Sequence, residues 1–154
     1  MNAVGFPPSD GYELLQVVLP GLLSDDEVGL LRAASDVGCE LAVVGLDGCV
    51  IVGEKPPNPV LSRVTSGAPQ LIACDGCEYL GSVYFHDGEE LCQILCKLSG
   101  GEQGRARSLR SAHYLIRLSE TLLQSAVRRE LAMSRNHIWS FSSRASVSTK
   151  RWRG

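Results

Sequence analysis

Six cysteines and three histidines are the residues of this chain best suited to chemistry. Cys74-Asp75-Gly76-Cys77 has the spacing at which two thiolates share one Zn²⁺, and Cys92-x-x-x-Cys96 follows. A Cys₄ site built from Cys74, Cys77, Cys92 and Cys96 would make the chain a zinc-binding interaction module. Cys92 and Cys96, however, fall in a strand-like run, where residues four apart lie about 13 Å apart along the strand. Two ligands so spaced cannot both reach one ion at ~2.3 Å without a bend. A redox role for Cys74 and Cys77 would want a helix N-terminus to lower the thiol pKa, and strand-like sequence follows them instead. The expectation is therefore of thiols packed in the core, with no metal or other cofactor. His86, His113 and His137 are isolated from any Asp, Glu or Cys pattern that would make a triad or a metal cluster. No Gly-x-Ser-x-Gly elbow and no His-Glu-x-x-His occurs either. The expected catalytic residues are none.

A second string, Leu98-Ser99-Gly100-Gly101-Glu102-Gln103, looks like the signature motif of ABC-type ATPases, in which serine and glycine amides grip a γ-phosphate. Such an ATPase also needs a Gly-x-x-x-x-Gly-Lys-Ser/Thr loop to cradle the phosphates, and the sequence has none. The Gly-Gly-Glu core likewise brings to mind diguanylate cyclases, but the rest of that nucleotide site is missing. A glycine-rich loop before a helix accounts for the string.

The elements that would position these residues can be read from pattern. Ser24-Asp25-Asp26-Glu27 is a capping box, and Val28, Leu31, Ala34 and Ser35 then recur at helical spacing before Gly38, giving a helix over about 25–37. Leu41–Val44 and Cys49–Val52 are β-branched runs around Asp47-Gly48, a hairpin signal. Pro56, Pro57, Pro59 and Pro69 make a connecting loop with one helical turn near Val60–Val64. Tyr79–Phe85 and Glu89–Leu98 flank His86-Asp87-Gly88 as a second hairpin. From Ser108 to about Ser134 an apolar stripe of Leu109, Ala112, Leu115, Ile116, Leu122, Leu123, Ala126, Val127 and Leu131 predicts one long helix. The order helix, hairpin, loop, hairpin, helix predicts an α+β domain with an antiparallel sheet flanked by N-terminal helices and a long C-terminal helix.

Residues 1–10 read as a flexible lead-in, 11–134 as the domain and 135–154 as a basic, serine-rich, disordered tail. Formal charge is −2, from 15 Lys/Arg and 17 Asp/Glu. The positive residues concentrate after 127, so the acidic body predicts no nucleic-acid partner. No apolar run spans a membrane, and the first residues lack a signal-peptide pattern, which places the chain in the cytoplasm.

The stretch from Glu13-Leu14-Leu15 through Ser24-Asp25-Asp26-Glu27 and Cys39–Gly48 resembles the N-terminal GAF-like sensory region of bacterial sensor histidine kinases. The likeness continues through Ala68-Pro69-Gln70-Leu71, His86–Leu91 and Arg128-Arg129-Glu130-Leu131. It implies a GAF/PAS-like sensor of a two-component system, lacking the transmitter core and so unable to phosphorylate anything. The expected pocket lies between the sheet and the loop over 54–75, with Val44, Val50, Ile72, Ser82 and Tyr84 as its candidate lining. The long helix would be the output element and the seam of a homodimer, through Leu115, Leu122 and Ala126.

Overall fold

Ser24 and Glu27 cap a helix reciprocally: the Glu27 amide donates to Ser24 Oγ at 3.2 Å, and the Ser24 amide donates to Glu27 Oε1 at 2.8 Å. In the computed structural model this helix, α2, spans Asp25–Ser35. The structure describes the backbone of residues 8–35, 39–98 and 104–151, and side chains within 11–35, 39–98 and 104–134. Gly38 and the Ser99–Gln103 part of the glycine-rich string lie outside the described residues. Before α2, helix α1 runs Pro8–Val18, beginning inside the stretch expected as a lead-in. Pro20 cannot continue the α-helical ladder, and Leu19–Gly21 tightens into a 3₁₀ turn.

Among the described residues five strands follow: β1 Cys39–Gly45, β2 Val50–Val52, β3 Gln70–Cys74, β4 Cys77–His86 and β5 Glu89–Leu98. They form one antiparallel sheet in the order β2-β1-β5-β4-β3. The fold is α+β, as the sequence predicts, with one strand more than the two expected hairpins supply. That strand, β3, turns into β4 through Asp75-Gly76, and β4 turns into β5 through Asp87-Gly88. Both pairs have two positive φ angles, 50° and 79°, then 51° and 80°, as tight hairpin turns demand.

Alternation along the strands divides the core in two. On one face Leu41, Val43, Leu80, Cys92, Ile94 and Cys96 pack against Leu15 and Leu31 of the N-terminal helices and against the C-terminal helix. This last element, α4, spans Arg105–Arg151 and lies along β5. It passes the end expected at Ser134, its backbone remaining helical through most of the predicted tail. None of the helices in the described residues is long and apolar enough to cross a membrane. On the opposite face Val60, Val64, Ile72, Tyr79, Val83 and Leu95 form a second cluster beneath the 53–69 segment and its short helix α3, Asn58–Leu61. That segment leaves the sheet at Gly53, where φ is 78° and an added Cβ would stand 2.1 Å from the Leu41 carbonyl oxygen. Only glycine fits there.

Among the described residues, two ion pairs tie α4 down. Arg105 makes a two-pronged contact with Glu78 of β4, Nε to Oε1 at 3.0 Å and Nη2 to Oε2 at 2.8 Å. Arg129 donates to Glu27 Oε1 at 2.9 Å and to the Leu22 carbonyl at 3.3 Å. The α2 cap is thus also the anchor of α4.

The seam residues are corrected by this packing. Leu115 and Ala126 are each 1% exposed within the chain's own core, and Leu122 packs against it. The apolar stripe meets the sheet and the N-terminal helices, so Leu115 and Ala126 are not available to a second copy, while Leu122 is only partly buried.

Candidate functional site

The five predicted pocket residues do not converge. Register places Ser82 opposite Ile94 and Tyr84 opposite Cys92, on the helical face. Val44 lies opposite Gln93 and Ile72 opposite Tyr79, on the other face. Val50 stands 38% exposed near the β2 edge. A sheet intervenes, because a period of two sends neighbouring residues to opposite sides. Beneath the loop Val60 and Val64 fill the part over Ile72 and Val83, while an open space remains at its Gly53–Pro57 end.

The same alternation takes the zinc site apart. Cys74 and Cys77 adjoin the cluster beneath the 53–69 segment, while Cys92 and Cys96 are fully buried on the helical face. Among the described residues no group of three or more His, Cys, Asp or Glu stands close enough to hold a metal ion. Burial, with a smaller effect from Cys49, pushes the Cys92 thiol up to about 12. The Cys96 thiol is raised by its hydrogen bond with Cys39 and by burial, and it donates to the Ala112 carbonyl at 3.7 Å. Both are neutral core thiols, unfit as nucleophiles at neutral pH.

Ser82 does line a cavity. Between β4 and α4 lies a space of about 400 Å³, within the range of small-molecule sites. Ser82, Val83 and Phe85 form its sheet wall, Gly67 and Pro69 its rim, and His113, Ile116, Arg117 and Glu120 its helical wall. The lining follows from two periodicities. His113, Ile116, Arg117 and Glu120 recur at three- and four-residue spacing on one flank of α4, and Ser82 leads the sheet side because it shares a face with Leu80 and Tyr84. Ser82 lines this space while being only 3% exposed. Tyr84, next along that face, has its phenol pushed up by burial and then by the Cys92 and Glu120 charges, with Arg128 opposing. Tyr84 itself is not among the residues that line the cavity.

The lining brings Ser82, His113, Arg117 and Glu120 together beside the apolar Ile116 and Phe85, whereas the Val83 side chain belongs to the cluster on the other face. His113 and Arg117 were legible only as surface residues of a long helix, since nothing local marks which flank faces a gap.

A second cavity of about 390 Å³ lies under the Gly53–Pro57 segment, lined by Arg32, Glu40, Tyr79 and Lys97 among others. No residue of α4 lines it.

No protein-family model matches this chain, and comparison with curated proteins likewise gives no match.

Proposed function

We propose that this chain is a non-catalytic, GAF/PAS-like sensing domain whose C-terminal helix reports occupancy of the cavity beside it. The observation that supports this most is the composition of the cavity wall: His113, Ile116, Arg117 and Glu120 all belong to α4, while Ser82, Val83 and Phe85 belong to the sheet. A molecule filling that space touches both at once. Any difference in its affinity between two positions of α4 becomes a shift in the position of α4. The continuous helix from Arg105 to Arg151 carries such a shift away from the sheet. The fitting ligand is a small organic molecule with an apolar body and a polar or charged end, the body on Ile116 and Phe85 and the end toward Arg117 and Glu120. In this reading the domain works in the cytoplasm and regulates an effector supplied by another domain or chain.

The test is a fragment screen by thermal shift on the intact chain and on Ser82→Leu, which fills the cavity from the sheet side. Fragments that bind the folded state raise its Tm. The reading expects hits on the native chain that vanish in Ser82→Leu. Hits that survive the substitution, or no hits at all, would count against it.

A further inference from the structure

The cysteine pair expected to be inert, Cys74 and Cys77, sits at the tip of the β3–β4 hairpin. Register makes the two residues directly opposite partners, separated only by the Asp75-Gly76 turn. Residues flanking a two-residue hairpin turn are a hydrogen-bonded pair, with Cα atoms about 5.5 Å apart. That separation falls inside the range of about 4.4–6.8 Å that a disulfide requires, and opposed residues project their side chains to the same face. Both sulfurs are free and half-buried. Cys74 Sγ donates to the exposed Asp75 Oδ2 at 3.8 Å, which brings that thiol to the solvent end of the hairpin. Cys74 and Cys77 both pack against the cluster that contains Tyr79, so they share its side of the sheet.

The remaining four cysteines differ. Cys39, Cys92 and Cys96 are at most 2% exposed, beyond the reach of a soluble oxidant. Cys49 is partly buried in the β1–β2 turn, where its amide donates to Asp47 Oδ1 at 3.0 Å.

The geometry points to Cys74 and Cys77 as a thiol–disulfide exchange site that takes a small-molecule disulfide as oxidant. The thiolate of one cysteine attacks a sulfur of the oxidant, whose S–S bond breaks, leaving a mixed disulfide and releasing one thiolate. The thiolate of the other cysteine attacks the protein-bound sulfur, closing the intramolecular disulfide and releasing the second thiolate. Two electrons pass from the protein dithiol to the oxidant, and the two protons lost by the protein thiols are taken up by the released thiolates. The oxidised hairpin is clamped where Cys74 and Cys77 pack beside Ile72 and Tyr79. At the solvent end of a hairpin the half-buried disulfide stays within reach of a small thiol, so reduced thiol reverses the change.

The experiment equilibrates the intact chain with oxidised and reduced glutathione in varying ratio, quenches with an alkylating reagent, and maps the cysteines by tandem mass spectrometry. The expected product lacks two hydrogens, carries a Cys74–Cys77 bond, and reverts when reduced glutathione is in excess. Cys77→Ser should stop at a glutathione adduct on Cys74, and Cys74→Ser at an adduct on Cys77. Far-UV circular dichroism of each variant checks that the fold is retained. The proposal is overturned if the native chain accumulates stable glutathione adducts at these positions, joins a different pair, or leaves both thiols unmodified.

Discussion

Replacing Leu115 with alanine distinguishes a core helix from an interface helix. Leu115 is 1% exposed and belongs to the cluster formed by the helical face of the sheet, the N-terminal helices and α4. Its neighbours are anchored from both ends by Arg105–Glu78 and Arg129–Glu27, so collapse around the deleted methyl groups should be incomplete. Leucine-to-alanine changes in such settings cost about 2–5 kcal/mol, and we expect about 3 kcal/mol here. At roughly 2–4 °C per kcal/mol for a chain of this size, Tm should fall by roughly 6–12 °C. The assay is urea unfolding followed by far-UV circular dichroism at two protein concentrations about a hundredfold apart. Were Leu115 at a subunit seam, that concentration change would move the native chain's stability by about 2.7 kcal/mol and the variant's by much less. The packing described here predicts the same loss at both concentrations. A cost below about 1 kcal/mol, or one that depends on concentration, would refute the placement of this side chain in the chain's own core.

Three further outcomes are expected. Gly53→Ala should destabilise by roughly 2 kcal/mol or more, since φ is 78° and the new methyl would stand 2.1 Å from a carbonyl oxygen; thermal unfolding reads this directly. Burial raises the Glu27 carboxyl, but its hydrogen bonds from Arg129 and Ser24 together outweigh burial, so it lies below the ordinary value of 4.5. Because the folded pKa is the lower one, the stability contributed is present above the unfolded pKa and is lost as pH falls through the folded pKa. Glu27→Gln should remove about 1 kcal/mol at neutral pH and flatten the acid limb of a stability-against-pH curve, whereas an unchanged acid limb would contradict the pairing. Alkylation under native conditions should label Cys74 and Cys77 while sparing Cys39, Cys92 and Cys96 until the chain is unfolded, as peptide mapping would show.

Much of the fold is legible because local chemistry and tertiary demand agree. The Ser24–Glu27 capping box, the Asp47-Gly48 and Asp87-Gly88 turns and the stripe from Leu109 to Leu131 each specify one structure, and each forms. The strand Gln70–Cys74 is obscured because Cys74-Asp75-Gly76-Cys77 reads first as a pair of ligands, although Asp75-Gly76 is the same turn signal as the other two. Ser82 is placed beside a cavity, but Val44 and Ile72 fall on the far side of the sheet. Strand membership alone does not say which face a residue takes until the register is known. The interface assignment of Leu115 and Ala126 fails for a related reason. A period of three and four describes a stripe without saying whether a sheet or a second helix covers it.

The most direct test of the account is a heteronuclear NMR titration of the intact chain with fragments that raise its Tm. Shifts are expected first at Ser82, Val83, Phe85 and His113–Glu120, and then along α4 beyond the cavity wall. Shifts confined to the other cavity, at Arg32, Tyr79 and Lys97, or a cavity response that leaves the rest of α4 unmoved, would contradict it.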